Sequence, residues 1–425
     1  MSGRSVAVVG AGWAGLAAAV RAVEQGHRVT LLEMARQPGG RARGVMTAAG
    51  ELDNGQHILI GAYRHTLALM RTVGADPAQR LHRLPLVLRY PDGRGLALPP
   101  GPAITSFVRG VAGAQGWSVR DRLALLAAAG GWLARGFRCA PELTVATLCR
   151  RLPAAVIADL VEPLCVAALN TPMAAASATV FLRVLKDALF SGAGSADLLL
   201  PRASLSDLLP RPALAWLASR GATLQVGRRA MALQADGAAW SLDGMSCDAV
   251  VLACSAVEAA RLTASVAPAW SAAAAALRYE PIVTAYLHDP ALRLPSPMMA
   301  LAAGPQAPAQ FVFDLGALGR GAACFAFVVS GAAPWVARGL DATAASVVQQ
   351  ARASFPGSFR AADDTVLRHI AAEQRATFAC TPGLRRPPIA IAPGLAAAGD
   401  YVEGPYPATL EGAVRAGEQA VDAVL

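Results

Sequence analysis

Ser5-Val6-Ala7-Val8-Val9-Gly10-Ala11-Gly12-Trp13-Ala14-Gly15 opens the chain, and Glu33 follows at the end of a second apolar run, His27 to Glu33. The first run reads as a buried strand, the glycines as a tight turn, and Trp13 to Gln25 as a helix that stops at Gly26. Each glycine has its own task. Gly10 permits the turn, Gly12 lets the backbone approach a pyrophosphate, and Gly15 lets the helix pack closely on its strand. Phosphate charge then lies against the helix N-terminus, where Trp13 and Ala14 are the first residues. At its strand end, Glu33 is placed to accept hydrogen bonds from a ribose 2′-OH, and it would repel a 2′-phosphate. Strand, turn, helix, strand and acid in this order predict a dinucleotide-binding βαβ unit. Residues 6–20 after Arg4 also read as a signal-peptide core, but the glycine spacing and Glu33 speak against it.

Gln37-Pro38-Gly39-Gly40-Arg41-Ala42-Arg43 comes directly after the second strand, on the same edge of the unit. A glycine pair followed by arginine closes backbone and guanidinium on the phosphates from the other side. Near the C-terminus, Leu395 to Asp400 reads as a short buried strand ending in Gly399-Asp400. Ala408-Thr409-Leu410-Glu411-Gly412-Ala413 then opens a final helix. Asp400 is placed to take a hydrogen bond from a ribityl hydroxyl, and the helix N-terminus to favour negative charge on a reduced flavin.

Together these segments resemble the FAD-dependent amine oxidase/phytoene desaturase superfamily, over essentially the whole chain. The resemblance implies FAD as cofactor and an α/β fold, with a discontinuous Rossmann-like FAD-binding domain beside a mixed α+β substrate-binding domain. It gives the first motif to the ADP half of FAD and places Glu33, Arg41 and Asp400 around the cofactor. It also implies backbone contact with adenine at Ala230-Met231, and flavin contacts at Gly55, Gln56, His57, Thr409 and Leu410. The expected FAD-binding segments are 1–80, 205–275 and 385–425; residues 81–204 and 276–384 are expected to hold the substrate. Strand-like patterns run over Thr223 to Val226, Arg228 to Leu233, Ala239 to Leu242 and Asp248 to Ala253. Helix-like runs mark Leu123 to Leu133, Ala154 to Ala168 and Ala342 to Ala353.

Composition narrows the class further. The chain has 425 residues, 54% hydrophobic and 16% charged, with a net charge of +9 carried almost wholly by arginine. Nothing interleaves basic and aromatic residues as a nucleic-acid surface would, so nucleic acid is not an expected partner. No run reaches the roughly 20 apolar residues of a spanning helix. Apolarity with positive charge fits peripheral docking on the cytoplasmic face of an anionic inner membrane, and equally an arginine- and alanine-rich genome. Seven scattered cysteines without a C-x-x-C pair fit reduced cytosolic thiols and suggest neither a disulfide framework nor a metal site.

The fold alone does not choose a reaction. The only lysine, Lys186, lies in a helical stretch rather than in the late strands where amine-oxidase-like members keep a lysine beside the flavin. There is one dinucleotide fingerprint and no second one for NAD(P)H. Asp53-Asn54-Gly55-Gln56-His57, Glu162 to Pro172, and Gly399 to Pro407 resemble the hydroxysqualene dehydroxylases of hopanoid biosynthesis. That resemblance implies reductive replacement of the hydroxyl of hydroxysqualene by hydride from reduced FAD, with a reductant such as NADPH or a reductase supplying electrons. Such chemistry needs an acid near the leaving hydroxyl and a cavity that excludes water. The acid candidates are His57 and Tyr406, with Asp53 and Glu403 behind them; His57 also reads as a residue that only hydrogen-bonds backbone or flavin. A polyene desaturase running electrons the other way, and a lipid-binding flavoprotein without turnover, are the alternatives.

Overall fold

The computed structural model describes residues 3–362 and 366–425. Its central sheet has six strands in the order Thr223–Val226, Arg28–Glu33, Ser5–Val9, Ala249–Leu252, Leu395–Ala397 and Ala390–Ala392. The first five run parallel, and Ala390–Ala392 closes the edge antiparallel. Strands buried on both faces read as unbroken apolar runs, and this one does: Ala249–Leu252 is buried at every residue. Helices Trp13–Glu24 and Leu410–Val424 pack on the sheet and on each other. Their contact is close because a Cβ on Gly417 would stand 2.2 Å from the Ala14 carbonyl oxygen. A Cβ on Gly15 would meet the Gly10 carbonyl oxygen at 1.8 Å, so the third glycine of the turn is dictated by packing. Gly10 itself has φ +105°, open to glycine alone without strain.

A second sheet, five-stranded, has the order Met298–Ala300, Phe311–Asp314, Cys324–Val329, Tyr279–His288, Leu367–Phe378, all antiparallel. Its two faces are read off with a period of two. Val283, Val312, Phe327 and Val329 join a core under helix Leu340–Ser354, while Ile282, Phe311, Phe313 and Val328 turn to a cavity. In a helical layer, Glu162–Leu169 and Ala178–Phe190 cover the opposite side of that cavity, and Ala103–Ala112 and Val119–Ala134 line a separate apolar hollow next to it.

Two expected elements differ. The Ala154 to Ala168 run is not one regular helix: it passes through a π-helical turn, Ile157–Val161, before Glu162–Leu169. Residues 228–232 are irregular, and the strand begins only at Leu233. Side chains satisfy that backbone instead of a ladder: Asp243 accepts from the Met231 and Ala232 N–H groups, and Arg261 donates to the Ala230 and Met231 carbonyls.

Candidate functional site

One cavity of about 780 Å3 runs from the glycine turn of residues 10–15, between the two sheets, to the helical layer. The helix Trp13–Glu24 points its N-terminus into it, and no side chain caps that end, so its first N–H groups are free for an anion. A Cβ on Gly12 would find only Gly40 Cα, at 3.8 Å, so the space over Gly12 belongs to the cavity. The Ala11 N–H and the Ala35 N–H both donate to Glu33, each at 2.8 Å. Glu33 thus braces the turn while lining the cavity, with lone pairs left for a ribose. Gly39 and Gly40, at φ +119° and +62°, fold the second glycine turn against the first, and the Gly39 N–H donates to Ala11.

Arg41 and Asp400 meet. The guanidinium donates to the Asp400 carboxylate at 2.6 Å and to the Ala376 carbonyl at 2.6 Å, and both side chains line the cavity. Arg386 was not anticipated from the sequence. It donates to the backbone carbonyls of Asp400, Gly404 and Tyr406 and so fixes the whole loop carrying the Gly-Asp turn. Because its partners are carbonyls, which every residue has, no sequence signal announces it. Thr409 caps the final helix by accepting from the Gly412 N–H, and both Thr409 and Leu410 face the cavity. Glu411 is buried at the cavity wall, and its carboxylate accepts from the N–H groups of His65 and Thr66.

Gly55, Gln56 and His57 lie on the cavity wall. The Gln56 amide is buried with neither its nitrogen nor its oxygen bonded, and the buried Tyr401 hydroxyl is likewise without a partner. Buried amides rarely stay unpaired, so these groups fit a polar cofactor between them. His57 Nδ1 is 2.8 Å from the Gly55 carbonyl, which makes it the protonated nitrogen and leaves Nε2 as an acceptor. Burial holds its pKa below the ordinary value, so the ring is neutral at pH 7. Tyr406 also lines the cavity, with the Arg183 and Arg415 guanidinium groups 5.4 and 5.5 Å from its ring centre. Burial and the Asp187 carboxylate, to which its hydroxyl is hydrogen-bonded, raise its pKa and keep it protonated. Asp187 was not among the sequence candidates; its helix spacing to Arg183 reads as a surface pair until Tyr406 is brought beside it.

Four sequence candidates fall outside the cavity: Asp53, Glu403, Met231, and Gly15, which packs on the Gly10 carbonyl oxygen instead. Asp53 is buried under the cavity: its carboxylate lies 2.6 Å from Arg320 and accepts from the Leu205 N–H, while its carbonyl accepts from Tyr286. It supports the 54–57 turn and is no proton donor to the cavity. Glu403 is exposed on the loop held by Arg386. Met231 is also exposed, its N–H taken by Asp243, so only Ala230 of that pair lines the cavity. Lys186 is exposed on helix Ala178–Phe190, away from the cavity.

The far end of the cavity is apolar. Ile282, Phe311, Phe313 and Val328 from the antiparallel sheet face Phe181 and Leu185 from the helical layer. Behind Phe181, Leu185 and Leu189 lies a smaller hollow whose lining is entirely apolar, including Phe107, Leu125 and Trp132.

A family model described as "Flavin containing amine oxidoreductase" matches residues 13–425. Among curated proteins, the chain is 43% identical over 98 residues to hydroxyneurosporene desaturase of Rhodobacter capsulatus, covering 22% of this chain and 19% of that protein. It is 39% identical over 72 residues to a zeta-carotene desaturase of Zea mays, covering 17% of this chain and 13% of that one. The matches therefore span less than a fifth of those relatives' length. Among solved structures, an oxidoreductase from Methanosarcina mazei superposes with a TM-score of 0.73 at 14% identity, covering 98% of this chain and 99% of the other. Cyclohexylamine oxidase from Brevibacterium oxydans gives 0.70 at 15% identity, covering 99% and 98%. At that identity the likeness concerns the fold.

Proposed function

The chain belongs to the flavin-containing amine oxidoreductase family and is an FAD-dependent oxidoreductase; from that premise we propose that it reduces hydroxysqualene to squalene. FAD, when bound and reduced, supplies the hydride that replaces the hydroxyl, which leaves as water after gaining a proton. Gly10, Gly12, Gly40 and the free N-terminus of Trp13–Glu24 hold the pyrophosphate, Glu33 the adenosine ribose, and Asp400 with Arg41 the ribityl region.

The observation that carries the substrate class is the apolar end of the cavity, where Ile282, Phe311, Phe313 and Val328 face Phe181. Such walls suit a long hydrocarbon and exclude the water that would capture a developing cation. The segments at 53–57, 162–172 and 399–407 that resemble hydroxysqualene dehydroxylases favour the hydroxylated substrate. His57 serves as acceptor for the substrate hydroxyl through Nε2, since burial keeps it neutral. Tyr406, which keeps its proton because burial and Asp187 raise its pKa, supplies that proton when its hydroxyl turns from Asp187 to the leaving oxygen.

The second reading, a polyene desaturase, is favoured by the relatives named for desaturation of hydroxyneurosporene and zeta-carotene. An anaerobic single-turnover experiment separates the two. Photoreduced holoenzyme mixed with hydroxysqualene is expected to reoxidise and to release squalene, whereas oxidised holoenzyme mixed with phytoene stays oxidised. The opposite pair of results overturns the dehydroxylase. Tyr406→Phe should slow the single turnover by about 10²-fold or more.

A further inference from the structure

A helix that is apolar all round belongs in a core or against a lipid phase. Between Leu123 and Ala134 no side chain is ionisable, and the only hydrogen-bonding one, Trp132, is buried. Yet this helix lies on the surface, with Leu123, Ala127, Gly130, Leu133 and Ala134 exposed along it. Val119, one turn before Leu123, is 69% exposed and Leu123 is 61% exposed. The neighbouring helix, Ala103–Ala112, packs against it and presents Ile104, 54% exposed, and Val108. Five of the eleven exposed large hydrophobics among the described residues thus fall within one pair of helices.

The charge around this face has one sign. Residues 103–140 contain five arginines and a single acid, Asp121. Arg109, Arg120, Arg135 and Arg138 are exposed, while Asp121 is engaged in a reciprocal cap with Ser118 that starts the helix. A second copy of the chain would bring arginine against arginine in a twofold contact. An anionic lipid surface meets both features, accepting the apolar side chains below its headgroups and the guanidinium groups at them.

The inner side of the same two helices supplies Phe107, Leu125 and Trp132 to the wholly apolar hollow. That hollow shares Phe181, Leu185 and Leu189 with the large cavity. We propose that helices Ala103–Ala112 and Val119–Ala134 form a docking face for an anionic bilayer, through which a membrane-dissolved substrate passes by way of the apolar hollow into the cavity. The entry route, though not the docking, rests on the water-insoluble substrate proposed above.

The test uses FAD-loaded full-length protein and sedimentation with vesicles of phosphatidylcholine containing phosphatidylglycerol. Wild type should partition onto them, and less so at high salt. The exposed pair V119E/L123E should bind at least about tenfold more weakly, and R109Q/R120Q about fivefold more weakly per arginine lost. Both variants should keep the flavin spectrum and full activity on detergent-dispersed hydroxysqualene. Vesicle binding by V119E/L123E equal to wild type, or none by wild type, overturns the proposal. So does a wild-type dimer that V119E/L123E converts to monomer, which would assign the face to self-association. A protein that docks but leaves hydroxysqualene unchanged overturns the functional reading and not the docking; one active in detergent yet blind to vesicles does the reverse.

Discussion

Two aspartates, Asp53 and Asp400, each face an arginine at 2.6 Å, and the two pairs serve opposite ends. Arg41 is 41% exposed beside Asp400 and opens into the cavity, whereas Arg320 and Asp53 are 7% and 0% exposed and sealed from it. Asp400 is itself 9% exposed, but both partners line the cavity, so a ligand there can reach them. The Asp53 pair is locked beneath the turn that carries Gln56 and His57, and it ties that turn to the second sheet through Tyr286. Equal distance does not mean equal role. Burial decides whether such a pair is available to a ligand or holds up the wall behind it.

The contrast breaks first at Asp53. Asp53→Ala strands the Arg320 charge in a dry site and should cost about 3–5 kcal/mol in urea unfolding. A loss within about 1 kcal/mol would put both pairs in one class. The glycine turn repeats the contrast on a smaller scale. Gly15→Ala drives a Cβ into the Gly10 carbonyl oxygen at 1.8 Å and should cost about 1–3 kcal/mol of stability. Gly12→Ala meets no protein atom nearer than 3.8 Å, so it should fold normally and lose FAD affinity instead. Asp400→Asn should weaken FAD binding by about tenfold, read by flavin fluorescence titration, and shift the urea midpoint of the apoprotein very little.

Legibility in the sequence followed the same divide. Gly10, Gly12, Gly15, Glu33 and Gly399-Asp400 are local patterns whose chemistry depends on their neighbours in the chain; the structure gathers all but Gly15 around one cavity, and Gly15 packs the helix on its strand. Asp53 failed as a candidate because its role depends on Arg320, 267 residues away, and on burial that no spacing reveals. Arg386 and Asp187 were missed for the same reason, since their partners arrive only with the fold. The irregular 228–232 segment was read as part of a strand-like run ending at Leu233; Asp243 and Arg261, which capture its backbone, lie outside the window. Of the antiparallel sheet, Ile282 to Leu287, Phe311 to Leu315 and Ala323 to Ser330 read as strand-like runs in the sequence, whereas Met298–Ala300 and Leu367–Phe378 did not, and the face each residue takes needed the register.

The smallest effect sharpens what the sealed support does for the site. His57 sits on the turn above Asp53, and burial lowers its pKa from 6.5, outweighing the Gly55 carbonyl and the Asp53 charge that favour the proton. A lowered folded-state pKa means that the unfolded chain takes up the proton first as the pH falls. His57 therefore costs no stability above about pH 6.5, and stability declines below that value until the folded ring titrates too. The slope from one such group cannot exceed about 1.4 kcal/mol per pH unit. His82 and His369, shifted in the same direction by burial, add to it. His57→Gln should flatten the urea-midpoint profile between pH 6.5 and 5 without removing the slope. A profile unchanged by His57→Gln would mean that the ring is already open to water, and that the turn over Asp53 is looser than the pair beneath it.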